Sequence, residues 1–233
     1  MRVAGGVAVP VPSWLSPLGQ LSREVSAAAL TDFSPPPGST PRQASVLMLF
    51  GESDAGRSIL LLERSHDMRS HAGQVAFPGG ARDPDDEDAI AVALREATEE
   101  TGLDATGVDV LGVLPSLWLP PSNFDVTPVL AWWRTPSPVF AVDAAETAAV
   151  HTVALADLLE PAHRVTVRHP SGHLGPAFLV HGLVVWGFTA GLLSRLFALA
   201  GWERPWDSSR VVELSATAVA SSMRDLAGPA DQP

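Results

Sequence analysis

A helix with two incompatible faces constrains this chain most. Residues 95–103 read Arg-Glu-Ala-Thr-Glu-Glu-Thr-Gly-Leu. Glu96, Glu99 and Glu100 are spaced i, i+3, i+4, so in a helix they share one stripe roughly 100° wide. Ile90, Ala93, Leu94 and Ala97 form the neighbouring stripe, which is apolar and has to face a core. Three crowded carboxylates repel one another unless they are solvated or share a divalent cation. Hard cations such as Mg²⁺ and Mn²⁺ take oxygen ligands of this kind. The i, i+4 spacing aims Glu96 and Glu100 at one point, and Arg95 can pair with Glu99 one turn on.

The preceding residues fit a site. Asp83, Pro84, Asp85 and Asp86 are expected to open the helix, where acids suit the positive end of the dipole and Pro suits the first turn. Gly102 is expected to end it. Gly79 and Gly80, in the turn Phe77-Pro78-Gly79-Gly80, permit close backbone approach to a ligand. Arg64 and Arg69 lie just after an apolar strand-like run, and a guanidinium presents a planar fork to phosphate oxygens. His71 reads more readily as a loop hydrogen-bonding residue than as a catalytic one.

The composition removes several classes. There is no Cys, which excludes disulfides and thiolate metal sites. A net charge of −11 argues against non-specific nucleic-acid binding, which needs a basic surface. The N-terminus lacks the apolar stretch and cleavage site of a signal peptide. Residues 177–193 carry no formal charge, but they are barely long enough to span a membrane and contain His181-Gly182, Gly187 and Gly191. A strand, turn, strand and helix explain them better, so a cytoplasmic protein with no membrane partner is expected.

At 233 residues the chain is long enough for one sizeable domain with extensions. Residues 1–42 read as an N-terminal arm, with a helix over 16–30 and a Pro-rich linker. A homodimer through this arm is one expectation for assembly. Residues 44–50 and 58–62 are strands around a hairpin loop at 51–57. Residues 108–119 are short strands broken at Pro115. Residues 126–133 form a strand in which Pro128 implies an edge or a bulge. A strand at 150–155, a short helix after Asp157, strands at 165–167 and 178–186 and a closing helix at 187–200 follow. Residues 201–233 read as a partly disordered tail.

At Arg95 to Leu103 the chain resembles the Nudix hydrolases, matching the Arg-Glu-apolar-x-Glu-Glu-x-Gly-apolar core of their signature. Glu87 falls where the family has an upstream Glu. The family's opening Gly would fall at Ala81, but the Gly here is Gly80, one residue early. That insertion resembles the coenzyme A diphosphatase branch. So does the run Leu60-Leu61, Arg64-Ser65, Arg69, Gly73 and Phe77-Pro78-Gly79-Gly80, with Leu62 in place of a Thr. The wording around Asn123 and Phe124, and around Trp186 to Ala190, is similar again.

The resemblance covers about residues 43–200 and implies an α+β Nudix fold, a mixed β-sheet between helices. Periodicity alone gives only mixed α and β. The resemblance also implies Mg²⁺ or Mn²⁺ held by Glu96, Glu99, Glu100 and a carbonyl of Gly80. Arg64, Arg69, Gly73, Phe77 and Gly79 would line the substrate, coenzyme A or an acyl derivative. Glu146 falls where related enzymes place a loop acid that handles the attacking water, and the base is Glu146 or a helix glutamate such as Glu99. Hydrolysis of ADP-ribose or a dinucleotide, and a catalytically silent nucleotide-binding module, are the competing expectations.

Overall fold

A computed structural model describes residues 9–66, 73–120 and 122–214. In chain order the elements are α1 (Ser16–Glu24), α2 (Ala27–Leu30), β1 (Arg42–Ser53), β2 (Gly56–Arg64), β3 (Val75–Ala76), β4 (Gly79–Ala81), α3 (Ala89–Thr101), β5 (Val108–Val113), β6 (Leu117–Leu119), β7 (Phe124–Trp133), β8 (Thr147–Ala154), α4 (Leu155–Leu158), β9 (Arg164–Arg168), β10 (Leu174–Val180), β11 (Leu183–Val185), α5 (Gly187–Leu199) and β12 (Val211–Glu213).

The main sheet is mixed. β1 runs parallel to β7 and antiparallel to β2, while β5 and β6 line the other edge of β7 and β8 lies outside β2. Its strands are apolar on both faces because both are covered. On one face, Leu47, Leu49, Leu60, Val129 and Ala131 pack with Ala93 and Ala97 of α3, and Ile90 and Leu94 flank them as the apolar stripe predicts. On the other, Met48, Phe50, Ile59, Leu61 and Leu130 pack with Leu15 and Leu18 at the N-terminus and Leu193, Leu196 and Phe197 of α5. This is the expected α+β layering. Among the described residues, no helix is long and apolar enough to cross a membrane.

One detail of the sheet positions everything that follows. β2 pairs with β1 only up to Ile59 and then diverges. β3 and β4 fill the opening, β3 pairing with β2 and β4 with β1. The Phe77-Pro78-Gly79-Gly80 turn is therefore wedged between two diverging strands, and Pro78 accepts a hydrogen bond from the Leu47 N–H at 2.8 Å.

Several expectations change. The hairpin loop at 51–57 shrinks to a tight turn, because cross-strand pairing continues out to Ser53 and Gly56. Pro128 is neither at an edge nor in a bulge of its own strand; it lies inside central β7. Its missing N–H costs nothing because it faces the break between β5 and β6, where its carbonyl accepts from Leu114. The helix at 16–30 is interrupted at Val25–Ser26, and Leu15, Leu18 and Leu30 are buried in the chain's own core. Residues 201–214 are not a loose tail. Trp202 packs on the core, and β12 adds a parallel strand to a second sheet of order β11-β10-β9-β12. Residues 215–233 lie outside the described residues.

Candidate active site

Helix α3 is set by its ends. The Asp88 side chain caps it, accepting from the Ala91 N–H at 2.9 Å, and Gly102 closes it in the left-handed conformation at φ 66°. Capping at Asp88 moves the start past the acidic run, so Asp83 to Asp86 form a turn ahead of the helix and contribute nothing to its first turn. With Ala93 and Ala97 on the sheet, the 3.6-residue repeat leaves Glu96 and Glu100 at the flank, against the wedged turn.

Glu100 Oε2 accepts from the Gly79 N–H at 2.9 Å. The Glu96 carboxylate sits so close to Gly80 that a Cβ there would fall 2.5 Å from its carboxyl atoms. Their side chains are 10% and 18% exposed, against 59% for Glu99. The helix stripe is thus split into an inward pair and an outward Glu99.

Arg95 organises this split. Its guanidinium donates to Glu96 and to Glu99, each at 3.0 Å, to the Ala81 carbonyl at 3.2 Å, and to both oxygens of Asp86 at 3.1 and 2.9 Å. The bidentate bond to Asp86 is the strongest geometry of the set. It raises the Arg95 pKa and holds the Asp86 carboxyl below its ordinary range. Sequence reasoning missed Asp86. The family pattern drew attention to Glu87, which is exposed and offers its backbone carbonyl to Arg82.

Burial shapes the pair's electrostatics. Desolvation pushes Glu100 up to about 7, against the lowering effect of the Gly79 N–H and the Arg64 charge. Glu96 and Glu146 add repulsion in the same direction. Glu96 is also raised, chiefly by desolvation, although Arg95 pulls it down. Glu96 shares Arg95 with Asp86 and Glu99, and Arg64 stands 3.9 Å from Glu100.

The remaining predicted residues fall into three groups. Arg64 reaches the pair, with Nη1 3.9 Å from Glu100 Oε1, while its Nε is buried without a hydrogen-bond partner. Glu146 is exposed beside the pair, and its carbonyl fixes the Ser65 N–H at 2.8 Å. Gly73, at φ 63°, donates its N–H to the Arg64 carbonyl. Phe77 does not line a ligand surface. It is 3% exposed, part of the core under the turn. Arg69 and His71 lie outside the described residues.

Among the described residues, no three His, Asp or Glu side chains converge closely enough to hold one ion. Of the three expected helix ligands, Glu96 and Glu100 stand inward beside the Gly79–Gly80 backbone and Glu99 turns outward. The inward pair suits a hard cation: both side chains offer oxygen, and Mg²⁺ is commonly held by only one or two carboxylates plus substrate phosphates.

The two glycines of the turn should respond differently to Ala. At Gly79 a Cβ would collide with the Ser45 carbonyl and with Val46, and its φ of 156° is unfavourable for an L side chain. At Gly80 it would meet only the movable Glu96 carboxylate. Gly79→Ala is expected to lose about 1–3 kcal/mol of stability, and Gly80→Ala clearly less. Thermal melts of the two variants would show it, and equal losses would contradict the packing described.

A model of the NUDIX domain matches residues 40–170. The uncharacterized Nudix hydrolase NudL of Cronobacter sakazakii is 40% identical over 169 residues, covering 70% of this chain and 85% of that protein. Its counterpart in Escherichia coli K12 is 39% identical over 159 residues, covering 66% and 81%. Among solved structures, the Nudix hydrolase RenU of M. smegmatis superposes with a TM-score of 0.50 at 20% identity, covering 72% of this chain and 90% of that one.

Proposed function

The chain belongs to the Nudix hydrolase family, whose members act on nucleoside diphosphate derivatives, and from that premise we propose that this one hydrolyses the diphosphate of coenzyme A or an acyl derivative. The products would be 4′-phosphopantetheine, or its acyl form, and adenosine 3′,5′-bisphosphate. One observation carries the reading. Arg64 and Gly79 both belong to the run that resembles the coenzyme A branch, and both meet Glu100, at 3.9 and 2.9 Å.

Each residue then has a task. Glu96 and Glu100 would hold Mg²⁺ or Mn²⁺ beside Gly80. A divalent ion bound there would neutralise phosphate oxygens and make a water acidic enough to attack phosphorus. Arg64, with an unpartnered Nε and a long contact to Glu100, offers its fork to a phosphate oxygen. Arg69, in the same signature run, is proposed for the same role. Arg95 fixes Glu96 and the Ala81 carbonyl, so pair and turn keep one spacing. Glu146, exposed and outside the reach of Arg95's bonds, is the proposed acceptor of the water's proton, with Glu99 as the alternative.

The test is product analysis after incubation with coenzyme A and Mg²⁺ or Mn²⁺, with EDTA as control. Metal-dependent release of adenosine 3′,5′-bisphosphate would support the proposal. Cleavage of ADP-ribose or a dinucleotide but not of coenzyme A would remove the substrate and keep the chemistry. Cleavage of none would favour a silent binding module.

The raised Glu100 adds a pH signature. Below about 7 the free enzyme carries a proton on Glu100, which a cation must displace. Mn²⁺ affinity should therefore weaken as pH falls, by up to about tenfold per unit, and level off above pH 7. Calorimetric titration of Mn²⁺ between pH 5.5 and 8.5 would read this. A flat profile would mean that Glu100 is not a ligand.

A further inference from the structure

Beyond the carboxylate pair, β4 runs on into an open groove. Arg42, Gln43, Ala81, Arg82, Asp83 and Pro84 line it, and its volume is about 510 Å³. Its floor, Ala81, is the next residue after Gly80. The same Arg95 guanidinium that holds Glu96 also holds the Ala81 carbonyl, so one side chain ties the groove to the pair. Gly80 pairs with Ser45, and Arg42 lies three residues further along β1, roughly 10 Å away at about 3.3 Å per residue of strand. A ribose together with the length of an arginine side chain spans that distance.

Two cations line this groove, and they differ. Arg82 is occupied, donating through Nη2 to the Asp86 and Glu87 carbonyls, each at 3.0 Å. Arg42 has its guanidinium carbon 4.0 Å above the centre of the Phe124 ring, and none of the hydrogen bonds or ion pairs of the described residues engages its side chain. Stacking fixes the plane of a guanidinium while leaving its N–H edge free. Asp83 is the one acid among the lining residues, and its carboxylate approaches Arg95 at 3.9 Å. The groove thus presents an oriented fork with no ion pair among the described residues, roughly 10 Å along β1 from the partner of Gly80.

We propose that the groove takes a phosphate monoester on the ribose of the nucleotide half of the substrate, with Arg42, oriented by Phe124, determining specificity for it. This rests on the coenzyme A reading, because a 3′-phosphate is what separates coenzyme A from most nucleoside diphosphate derivatives. It goes beyond that reading by assigning discrimination to residues outside the catalytic signature. Arg42 acts on binding and takes no part in the chemistry.

The test compares Arg42→Ala with the wild type on coenzyme A and on its 3′-dephospho form. A charge-assisted bidentate contact predicts that KM for coenzyme A rises about ten- to hundredfold with kcat little changed. KM for the dephospho form should not move, and Arg42→Lys should recover only part of the loss. Equal effects on both substrates, or none on either, would overturn the proposal. Calorimetry with adenosine 3′,5′-bisphosphate and adenosine 5′-monophosphate tests the groove without turnover. Tighter binding of the bisphosphate, abolished by Arg42→Ala, supports it even if coenzyme A is not cleaved, in which case only the substrate assignment fails. Equal binding of the two nucleotides overturns it.

Discussion

Glu100→Gln is expected to lower turnover by at least about a hundredfold and, in metal-free buffer at pH 8, to leave the protein more stable than the wild type. Both halves follow from the same carboxylate. Gln keeps an oxygen for the Gly79 N–H but loses the charge that a cation needs. The stability gain is a linkage effect. The folded-state pKa is raised from an ordinary 4.5 to about 7. Below 4.5 the carboxyl is neutral in both states and costs nothing. Above 7 it is ionised in both, and burying the charge costs about 3 kcal/mol. The melting temperature of the wild type should therefore drop relative to that of Glu100→Gln as pH rises from 4.5 to 7, and saturating Mn²⁺ should restore it only in the wild type. A variant with near-normal turnover would remove Glu100 from the metal site. A variant no more stable than wild type at pH 8 would mean that the charge is better solvated than its surroundings indicate.

The second large effect should come from outside the site. Arg164 is 1% exposed, yet its guanidinium is clasped from several sides. It donates to Glu203 and to Ser194, and it lies between the rings of Phe178 and Trp206, 5.1 and 4.4 Å from their centres. Arg164→Ala would open a cavity beside two aromatic rings and leave the Glu203 carboxylate without its countercharge, with only Trp206 Nε1 donating to it at 3.2 Å. The expected loss is about 3 kcal/mol, or roughly 6–12 °C in melting temperature for a chain of this size. Glu203 is partly exposed, which holds the loss at the low end for a buried pair. Turnover at 20 °C should persist, since none of these groups enters the carboxylate site. The double variant Arg164→Met, Glu203→Gln should recover part of the loss, because it removes the unpaired charge and refills the cavity. A melting point unchanged by Arg164→Ala would mean that residues 203–206 are held by something else.

What the sequence revealed, and what it hid, divides along a physical line. The helix with its carboxylates was legible because helical spacing alone groups Glu96 with Glu100 and Ala93 with Ala97. The terminal Gly102 was legible because its left-handed conformation favours glycine. The resemblance supplied the fold, since periodicity cannot choose a topology. The outward turn of Glu99 was hidden because i, i+3, i+4 spacing fixes only the side of a helix. Which way a carboxylate turns within that side was decided by Arg95, and Arg95 was positioned in turn by Asp86, nine residues back on a turn with no periodic signature. Phe77 appeared to be a ligand contact because its neighbours in the signature face the site, but a turn wedged between strands must bury one side chain to stay there. Pro128 argued for an edge because propensity rules ignore where a neighbouring strand happens to break. The packed Trp202 to Glu213 segment was hidden because its partners, Arg164 to Arg168, are some forty residues away.

The parallel pairing of β1 with β7 also orders events in time. Arg42 pairs with Phe124 and Phe50 with Trp132, so the two strands are 82 residues apart in the chain. Closing so long a loop costs entropy before any contact offsets it, and such pairings form late. The turn at Gly79–Gly80 and helix α3 lie inside that loop. During synthesis, the turn and the helix that form the carboxylate pair emerge before the strand that completes the sheet beneath them. A ribosome stalled before residue 124 would carry these residues with β1 still lacking its central partner. Cation-binding ability and native folding are therefore expected to appear together, and only after Trp133 has cleared the exit tunnel.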